Sequence, residues 1–349
     1  TTSIDFSCFF KSYKDKIIQY ILLILFCGYD TFQKMNMKPK DRKIDIMGIV
    51  NITDDSYYRD SRCMDEGGNA DIPKVLGRIG QMIREGATII DIGACSTRPG
   101  SEPVGEENEW KRLEPVLAAV WRTFPGIPVS VDTYWASVVS KAYGLMTGII
   151  RGNMTKDGSY GIESVTEAVK RRLIVNDISS GEEDSGMLPL VGKLGLTYIA
   201  MHKRGTPLTM QNLCEYDDII EDILAYFHQF SKKAESAGIR DWILDPGFGF
   251  AKTISQNYSL MRGLDRFAEE RFTSGEPDSA GAENSGTRHR ILVGVSRKSM
   301  IYKKFGITPE ESLPQTQVLH LAALQKGADI LRVHDVAEAA RTAELYKLL

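Results

Sequence analysis

Eight short apolar segments recur along the chain, and each ends in polar residues before a longer segment with helical spacing begins. In chain order they cover residues 43–51, 87–93, 128–133, 172–177, 196–202, 241–247, 290–296 and 328–335. Near-continuous apolar strands are typical of a parallel sheet that is buried on both faces. Eight of them alternating with helices predict an α/β fold, a (β/α)8 TIM barrel that forms a single domain.

The segments between these strands carry apolar residues at steps of three and four, which is typical of helices that bury one face. Three of them stop at a glycine (Gly86, Gly238 and Gly327), which favours a helix end at each. Two stretches interrupt the alternation. Residues 144–161 contain "GIIRGN", which competes with residues 172–177 for the fourth strand; we predict the latter, because that run is more apolar and an Asn-Asp pair ends it. Residues 274–290 are rich in Gly, Ser and Glu and predict a flexible surface loop.

Residues 1–36 differ from the rest, so we divide the chain into an N-terminal extension (1–36) and the barrel (37–349). The extension contains "IIQYILLILFCGY" after three lysines, but this run is too short to span a membrane comfortably. We interpret the extension as disordered or not native, with the natural start near Met35 or Met37. Two alternatives stay open: an export signal, although no A-x-A-like cleavage site follows, and a helix that packs on the barrel.

The overall composition argues against a nucleic-acid partner and against a disulfide or zinc framework. The net charge of the 349 residues is −3, whereas a nucleic-acid-binding surface needs a clear basic excess. The five cysteines are scattered and form no CxxC pair, which argues against a disulfide framework or a zinc site and favours a reducing compartment. We therefore expect a cytoplasmic protein that binds small molecules and has no stable membrane association.

Acid and amide side chains lie at the predicted carboxyl ends of three strands: Asp132, Asn176 and Asp245. This is the end at which TIM-barrel active sites lie. Carboxylates accept hydrogen bonds and an amide both donates and accepts, so the three together favour a flat heterocycle with an amidine-like or amino-pyrimidinone edge. The alternative is structural, in which the two acids cap the following helices or pair inside the barrel.

A basic group accompanies them: Arg98, Arg297, Lys298, Arg332 and His334. Arginine forks match phosphate oxygens, lysine acts as a point charge, and the last two βα loops are the usual phosphate corner of this fold. The pattern therefore predicts a phosphorylated or diphosphorylated substrate. The alternative is that Arg297 and Arg332 form salt bridges with neighbouring acids and that His334 is an ordinary core histidine.

Eight motifs occur in order over roughly residues 44–349: "MGIVNITDDSYY", "GATIIDIGACSTRPGSEPV", "SVDTYWA", "VNDISS", "MHKRGTP", "DPGFGFAKT", "GVSRKSM" and "ILRVHDV". Together they resemble the dihydropteroate synthases, members of the pterin-binding enzyme superfamily. The chain departs from the family pattern at Asp54, where proline is usual, and at Cys95, where glutamate is common.

The resemblance implies condensation of 6-hydroxymethyl-7,8-dihydropterin diphosphate with p-aminobenzoate, releasing pyrophosphate. It implies a pterin site of Asp132, Asn176, Asp245 and Lys298. It implies a diphosphate and Mg²⁺ site of Asn51, Thr97, Arg98, Arg332 and His334, with Asn51 as the metal ligand. The p-aminobenzoate site implied is Thr97, Arg98, Pro99 and Ser299. The catalytic residues expected from the resemblance are Asn51, Thr97, Arg98, Lys298, Arg332 and His334.

The resemblance also implies a homodimer and a sulfonamide target. Two other functions stay open. A pterin-binding methyltransferase domain of the same superfamily would share the acid and amide residues but would not need the basic group. A non-catalytic pterin-binding paralogue would have damaged loops, whereas Thr97, Arg98, Lys298 and His334 are all present.

Overall fold

The computed structural model describes residues 42–52, 70–95, 104–157, 165–206, 209–272 and 286–349. Over these residues eight parallel strands pair in chain order and close into a barrel. The strands are β1 (Asp45–Asn51), β2 (Ile89–Gly93), β3 (Val129–Asp132), β4 (Leu173–Asp177), β5 (Thr197–Met201), β6 (Trp242–Asp245), β7 (Arg290–Val293) and β8 (Ile330–Val333). The predicted TIM barrel is confirmed.

Each observed strand lies inside the apolar segment that predicted it. The competition for the fourth strand is settled in favour of β4, because "GIIRGN" lies within a long helix, Ala136–Asp157. Residues 1–36 lie outside the described residues, as does most of the loop predicted before β7. None of the described helices combines the length and the apolar character that a membrane crossing requires.

Eleven α-helices occur in the described part of the chain. They are α1 (Ile72–Glu85), α2 (Glu106–Thr123), α3 (Ala136–Asp157), α4 (Val165–Lys170), α5 (Met187–Leu194), α6 (Ile219–Ser236), α7 (Ile254–Arg262), α8 (Leu264–Glu269), α9 (Ser299–Phe305), α10 (Leu313–Gln325) and α11 (Val336–Leu348). Side-chain caps fix several of their starts. The Asp71 carboxylate accepts from Lys74 N at 3.1 Å, and a capping box joins Thr253 to Gln256, so free backbone N–H groups of these first turns find acceptors.

The predicted glycine stops are confirmed. Gly86, Gly238 and Gly327 have φ angles of 108°, 81° and 99°, respectively, a left-handed region that glycine enters without the steric cost of a Cβ atom. The chain turns sharply at these points and returns to the next strand.

The core has two layers. Inside the barrel one apolar residue from each of seven strands forms a closed floor: Met47, Ile89, Ile174, Ile199, Ile243, Leu292 and Ile330. A larger apolar layer fills the space between the outer face of the sheet and the helices. Side chains fill the barrel interior, so a ligand site can form only above this floor, at an open end.

Candidate active site

The site is a layer of polar side chains directly above the apolar floor, at the carboxyl ends of the strands. Alternate residues of a strand point to the same face, so the residue two positions after each floor residue also points into the barrel. This rule places Asp91, Asn176, Asp245 and Arg332 in one layer, each two residues beyond a floor residue of its own strand. The predicted acid and amide residues are thus brought together.

Arg332 is the centre of this layer. Its Nε donates to Asp91 Oδ2 at 2.8 Å, and its terminal NH2 lies 2.6 Å from the same oxygen and 2.9 Å from Asp132 Oδ2. The Asn176 amide adds weaker contacts to both Asp91 oxygens, at 3.3 and 3.4 Å. One guanidinium therefore holds two carboxylates, and the amide of a third strand completes the cluster.

The Asp132 carboxyl, which shares the Arg332 guanidinium with Asp91, has a pKa above that of a carboxyl in water. Burial is the main reason that the pKa of Asp132 rises to about 7, and the neighbouring charge of Asp91 adds to it, while Arg332 opposes the rise. Burial alone would lower the pKa of Arg332, but Asp91 and Asp132 raise it, so the arginine stays charged.

Asp245 ends β6 and begins a tight turn. Its Oδ1 accepts from Gly247 N at 2.8 Å, and burial raises its pKa, against the opposing charge of Lys298. Gly247 has a φ of 71°, and a Cβ there would lie 1.9 Å from the carbonyl oxygen of His202. Only glycine fits this turn, which explains why "DPGFG" follows the strand.

Lys298 reaches into the same region from the loop after β7. Its Nζ donates to the carbonyl oxygen of Phe248 and lies 4.9 Å from the centre of the Phe250 ring, within the range of a cation–π contact. Burial lowers the pKa of Lys298 to about 8, although Asp245 opposes the shift. The lysine and Asp245 therefore act on each other at the rim of the polar layer.

The basic group is only partly assembled as an anion site. Arg297 forms a two-pronged ion pair with Asp335, at 2.8 Å for both contacts, and its NH1 donates to Pro309 O at 3.0 Å. Arg332 binds two acids as described above. Both arginines thus make the salt bridges that were the structural alternative.

His334 directly follows β8, two residues after Arg332. Its backbone N–H donates to Ser296 Oγ at 3.2 Å, and its carbonyl oxygen accepts from Arg78 at 3.0 Å. Burial and the charge of Arg332 lower the pKa of its ring to about 4. The imidazole is therefore neutral at pH 7 and offers a hydrogen bond rather than a positive charge.

The other predicted residues divide into two groups. Asn51 is half-buried at the end of β1, and Ser299 begins α9 beside Lys298. Thr97, Arg98 and Pro99 lie outside the described residues, as does Asp54.

Two residues that the structure brings to the site had no predicted role. Asp91 was visible as a strand end, and its position two residues after Ile89 is the signal that would have placed it inside the barrel. Lys252 is buried behind the turn after β6. Its burial has no sequence signal, because lysine is almost always exposed.

Comparison with known proteins identifies the class. Residues 47–155 and 158–334 match the family model described as pterin binding enzyme. The chain belongs to this family of pterin-binding enzymes.

Several relatives within the family are dihydropteroate synthases. The Escherichia coli (strain K12) enzyme is 34% identical over 295 residues, which cover 84% of this chain and 87% of that protein. The crystal structure of the Yersinia pestis enzyme with a sulfonamide drug complex has a TM-score of 0.70 and 31% identity, over 88% of this chain and 94% of that one. The Thermus thermophilus enzyme in complex with 4-aminobenzoate has a TM-score of 0.65 and 31% identity, over 89% and 98%. The chain is a dihydropteroate synthase by family, a transferase of folate biosynthesis.

Proposed function

We propose that the polar layer binds the pterin, that Mg²⁺ accompanies the diphosphate at the rim, and that p-aminobenzoate enters between them. The overall reaction joins 6-hydroxymethyl-7,8-dihydropterin diphosphate to p-aminobenzoate and gives 7,8-dihydropteroate and pyrophosphate. The observation that carries the assignment is the cluster of buried Asn176 and Asp245 and half-buried Asp132 with two cations, Lys298 and Arg332.

The pterin half follows from hydrogen-bond chemistry. A pterin has a guanidine-like edge that donates and a ring carbonyl that accepts. Asp245 and Asp132 are acceptors when ionised, Lys298 is a donor, and the Asn176 amide is both. Burial raises the pKa values of Asp132 and Asp245, and the ring's N–H groups would stabilise the ionised carboxylates by donating to them.

The diphosphate half rests on Asn51, Thr97, Arg98, Arg332 and His334. The described residues contain no group of three or more His, Cys, Asp or Glu side chains able to hold a metal. Mg²⁺ needs no such group, because it keeps several waters and is usually bound through one or two protein groups together with substrate phosphates. Asn51 would hold it through its amide oxygen, and the ion would neutralise part of the diphosphate charge.

The bond changes need positioning more than a strong base. The C–O bond between the pterin methylene and the diphosphate breaks, and the p-aminobenzoate nitrogen forms the new C–N bond. The leaving diphosphate carries away the electron pair, and the acids around the ring tolerate the positive charge that develops on the pterin. The aniline nitrogen is neutral at pH 7 and attacks directly, after which its extra proton passes to water. Thr97, Arg98, Pro99 and Ser299 would hold p-aminobenzoate for this attack.

A pyrophosphate-release assay tests the proposal. With the pterin diphosphate, p-aminobenzoate and Mg²⁺ together, we expect stoichiometric pyrophosphate and dihydropteroate, and no net turnover when either substrate is omitted. Folded protein that forms no product at any Mg²⁺ concentration would contradict it. A methyltransferase domain would bind the pterin without releasing pyrophosphate, and a non-catalytic paralogue would do the same.

We also propose a cytoplasmic homodimer. In support, large apolar side chains are exposed at the end of α11 and just after it: Leu345 at 49%, Leu348 at 83% and Leu349 at 57%. Exposed apolar surface of this kind is characteristic of association sites. Light scattering of the purified protein should give twice the mass of one chain, and Leu345→Glu with Leu348→Glu should halve it. In support of the cytoplasm, the five cysteines of the chain are scattered and form no CxxC pair.

A further inference from the structure

The turn after β6, residues 246–251, has an unusual backbone. Gly247, Gly249 and Ala251 have φ angles of 71°, 84° and 48°, respectively. Glycine adopts such angles easily, but Ala251 carries a Cβ atom, and a side chain in this region persists only where surrounding contacts hold the backbone. The groups that hold this turn therefore determine its shape.

Lys252 supplies those contacts from beneath the turn. Its side chain is buried, and its Nζ lies 3.0 Å from His202 Nδ1, 2.9 Å from Gly247 O and 3.0 Å from Phe250 O. Burial is the main reason that the pKa of Lys252 falls to about 7 and that of His202 to about 2. The imidazole of His202 is thus neutral, so its Nδ1 accepts a hydrogen bond from the ammonium form of Lys252 and donates one to the amine form. All three contacts of Lys252 therefore persist in both of its protonation states.

The same turn also holds two residues of the pterin site. Phe248 O accepts from Lys298 Nζ, and the Phe250 ring lies 4.9 Å from that nitrogen. On the other side, Gly247 N donates to Asp245 Oδ1 at 2.8 Å. The backbone that Lys252 pins is therefore the backbone that orients Lys298 and Asp245.

We propose that Lys252 and His202 are positioning residues for pterin recognition. They touch neither the substrate nor the reacting atoms; they fix the turn, and the turn fixes the Lys298 ammonium and the Asp245 carboxylate. His202 is in turn fixed by Tyr226, whose ring meets it edge-on with the centroids 5.0 Å apart. The inference rests on the proposed function, because it assumes that Lys298 and Asp245 bind the pterin.

The first test is Lys252→Met, which keeps an unbranched side chain as far as Cε and removes Nζ with its hydrogen bonds. We expect the pterin dissociation constant and the KM for the pterin diphosphate to rise about tenfold, the effect of misplacing one charge-assisted hydrogen bond. The KM for p-aminobenzoate should change less than about twofold, within the scatter of a neutral substitution. Lys232→Met, at an exposed position of α6, is the matched control and should change neither constant.

A double-mutant cycle separates positioning from general stabilisation. In a Lys298→Met background the Lys298 ammonium group is gone, so Lys252→Met can act only through the position of Asp245. It should then raise the pterin dissociation constant by less than about threefold. An equal effect in both backgrounds would overturn the proposal. A lower unfolding temperature with an unchanged pterin dissociation constant would also overturn it.

His202→Phe provides the second route if Lys252→Met does not fold. It keeps a ring against Tyr226 and removes only the Nδ1 partner, so we expect a rise of about threefold in the pterin dissociation constant, absent from the Lys298→Met background. An unchanged constant in the parent background overturns the proposal. A parent protein that binds no pterin contradicts the proposed function instead, so the two failures are distinguishable.

Discussion

Replacing Arg332 by lysine tests the arrangement of the polar layer. The guanidinium reaches Asp91 at 2.6 and 2.8 Å and Asp132 at 2.9 Å. A single ammonium group cannot reproduce this fork, so at least one charge-assisted hydrogen bond is lost. The side chains of Arg332, Asp91 and Asp132 are 22%, 0% and 13% exposed, so water replaces little of it. We expect the free energy of unfolding to fall by about 1.5–3 kcal/mol.

The same change should make pterin binding depend more strongly on pH. Arg332 lowers the pKa of Asp132, which burial and Asp91 raise to about 7. A less well placed cation would leave that pKa higher, so a smaller fraction of Asp132 is ionised at pH 7. On the proposed assignment the ionised form accepts from the pterin, so affinity should be about tenfold lower than in the parent protein at pH 6.5 and 7.5 and recover partly at pH 8.5.

Urea unfolding and calorimetry with diphosphate-free pterin at pH 6.5, 7.5 and 8.5 measure the two effects. Arg341→Lys is the matched control, because its side chain is 73% exposed, and it should change the stability by less than about 0.5 kcal/mol. If Arg332→Lys matches the parent in stability and in affinity at all three pH values, the bridged carboxylates do not form the pterin-binding layer.

Three further outcomes are expected. Asp245→Asn should weaken pterin binding about 10- to 150-fold, the loss of one hydrogen bond to a charged group, with calorimetry as the measurement. Glu109 is fully buried, and burial raises its pKa to about 7, opposed by Thr133. The contribution of Glu109 to stability is thus present below about pH 4.5 and lost as pH rises through 7. In the parent protein this lowers the free energy of unfolding by about 3 kcal/mol between pH 4.5 and 8. Urea unfolding should show that Glu109→Gln removes this loss, whereas exposed Glu107→Gln does not. Removing Mg²⁺ with EDTA should abolish pyrophosphate release while leaving diphosphate-free pterin binding unchanged, and turnover that survives chelation would contradict the metal assignment.

The fold could be predicted because its signals are local. A strand that is buried on both faces must be apolar almost without interruption, and all eight observed strands lie within segments that meet this condition. The predicted segments extend one to three residues past most strand ends, as at Asp245 and Gly247. The chain there turns into the loop and leaves the strand ladder, and residue types do not reveal where that happens.

The site could be predicted only in part, because side-chain pairing depends on distant partners. Asp132, Asn176 and Asp245 were found from their positions at strand ends. Arg297 pairs with Asp335, 38 positions away along the chain. Arg332 pairs with Asp91 and Asp132, 241 and 200 positions away. The local sequence does not show whether an arginine is available to bind phosphate or already forms a salt bridge within the protein.

The alternation of β-strand side chains supplies the rule that local sequence patterns lack. Counting two residues beyond the seven floor residues selects four polar residues, Asp91, Asn176, Asp245 and Arg332, together with Ile49, Met201 and Gly294. The same count leaves Asp177 on the outer face, where Ser179, Gly181 and Tyr198 donate to its carboxylate. Two adjacent residues thus face opposite sides of the sheet: Asn176 lies in the polar layer, and Asp177 stabilises the scaffold outside the barrel.

The apolar floor explains why this layer suits a pterin. Water cannot solvate the charges from below, so ionised carboxyls are costly there and the pKa values of Asp132 and Asp245 rise. A ring whose N–H groups donate to these carboxyls stabilises their ionised forms, so protons should leave the site as the pterin binds. The negative charge that then surrounds the ring is of the sign that stabilises a pterin methylene cation when the diphosphate departs. On the proposed assignment, one feature, acids above a dry floor, would both recognise the ring and favour the charge that the reaction creates.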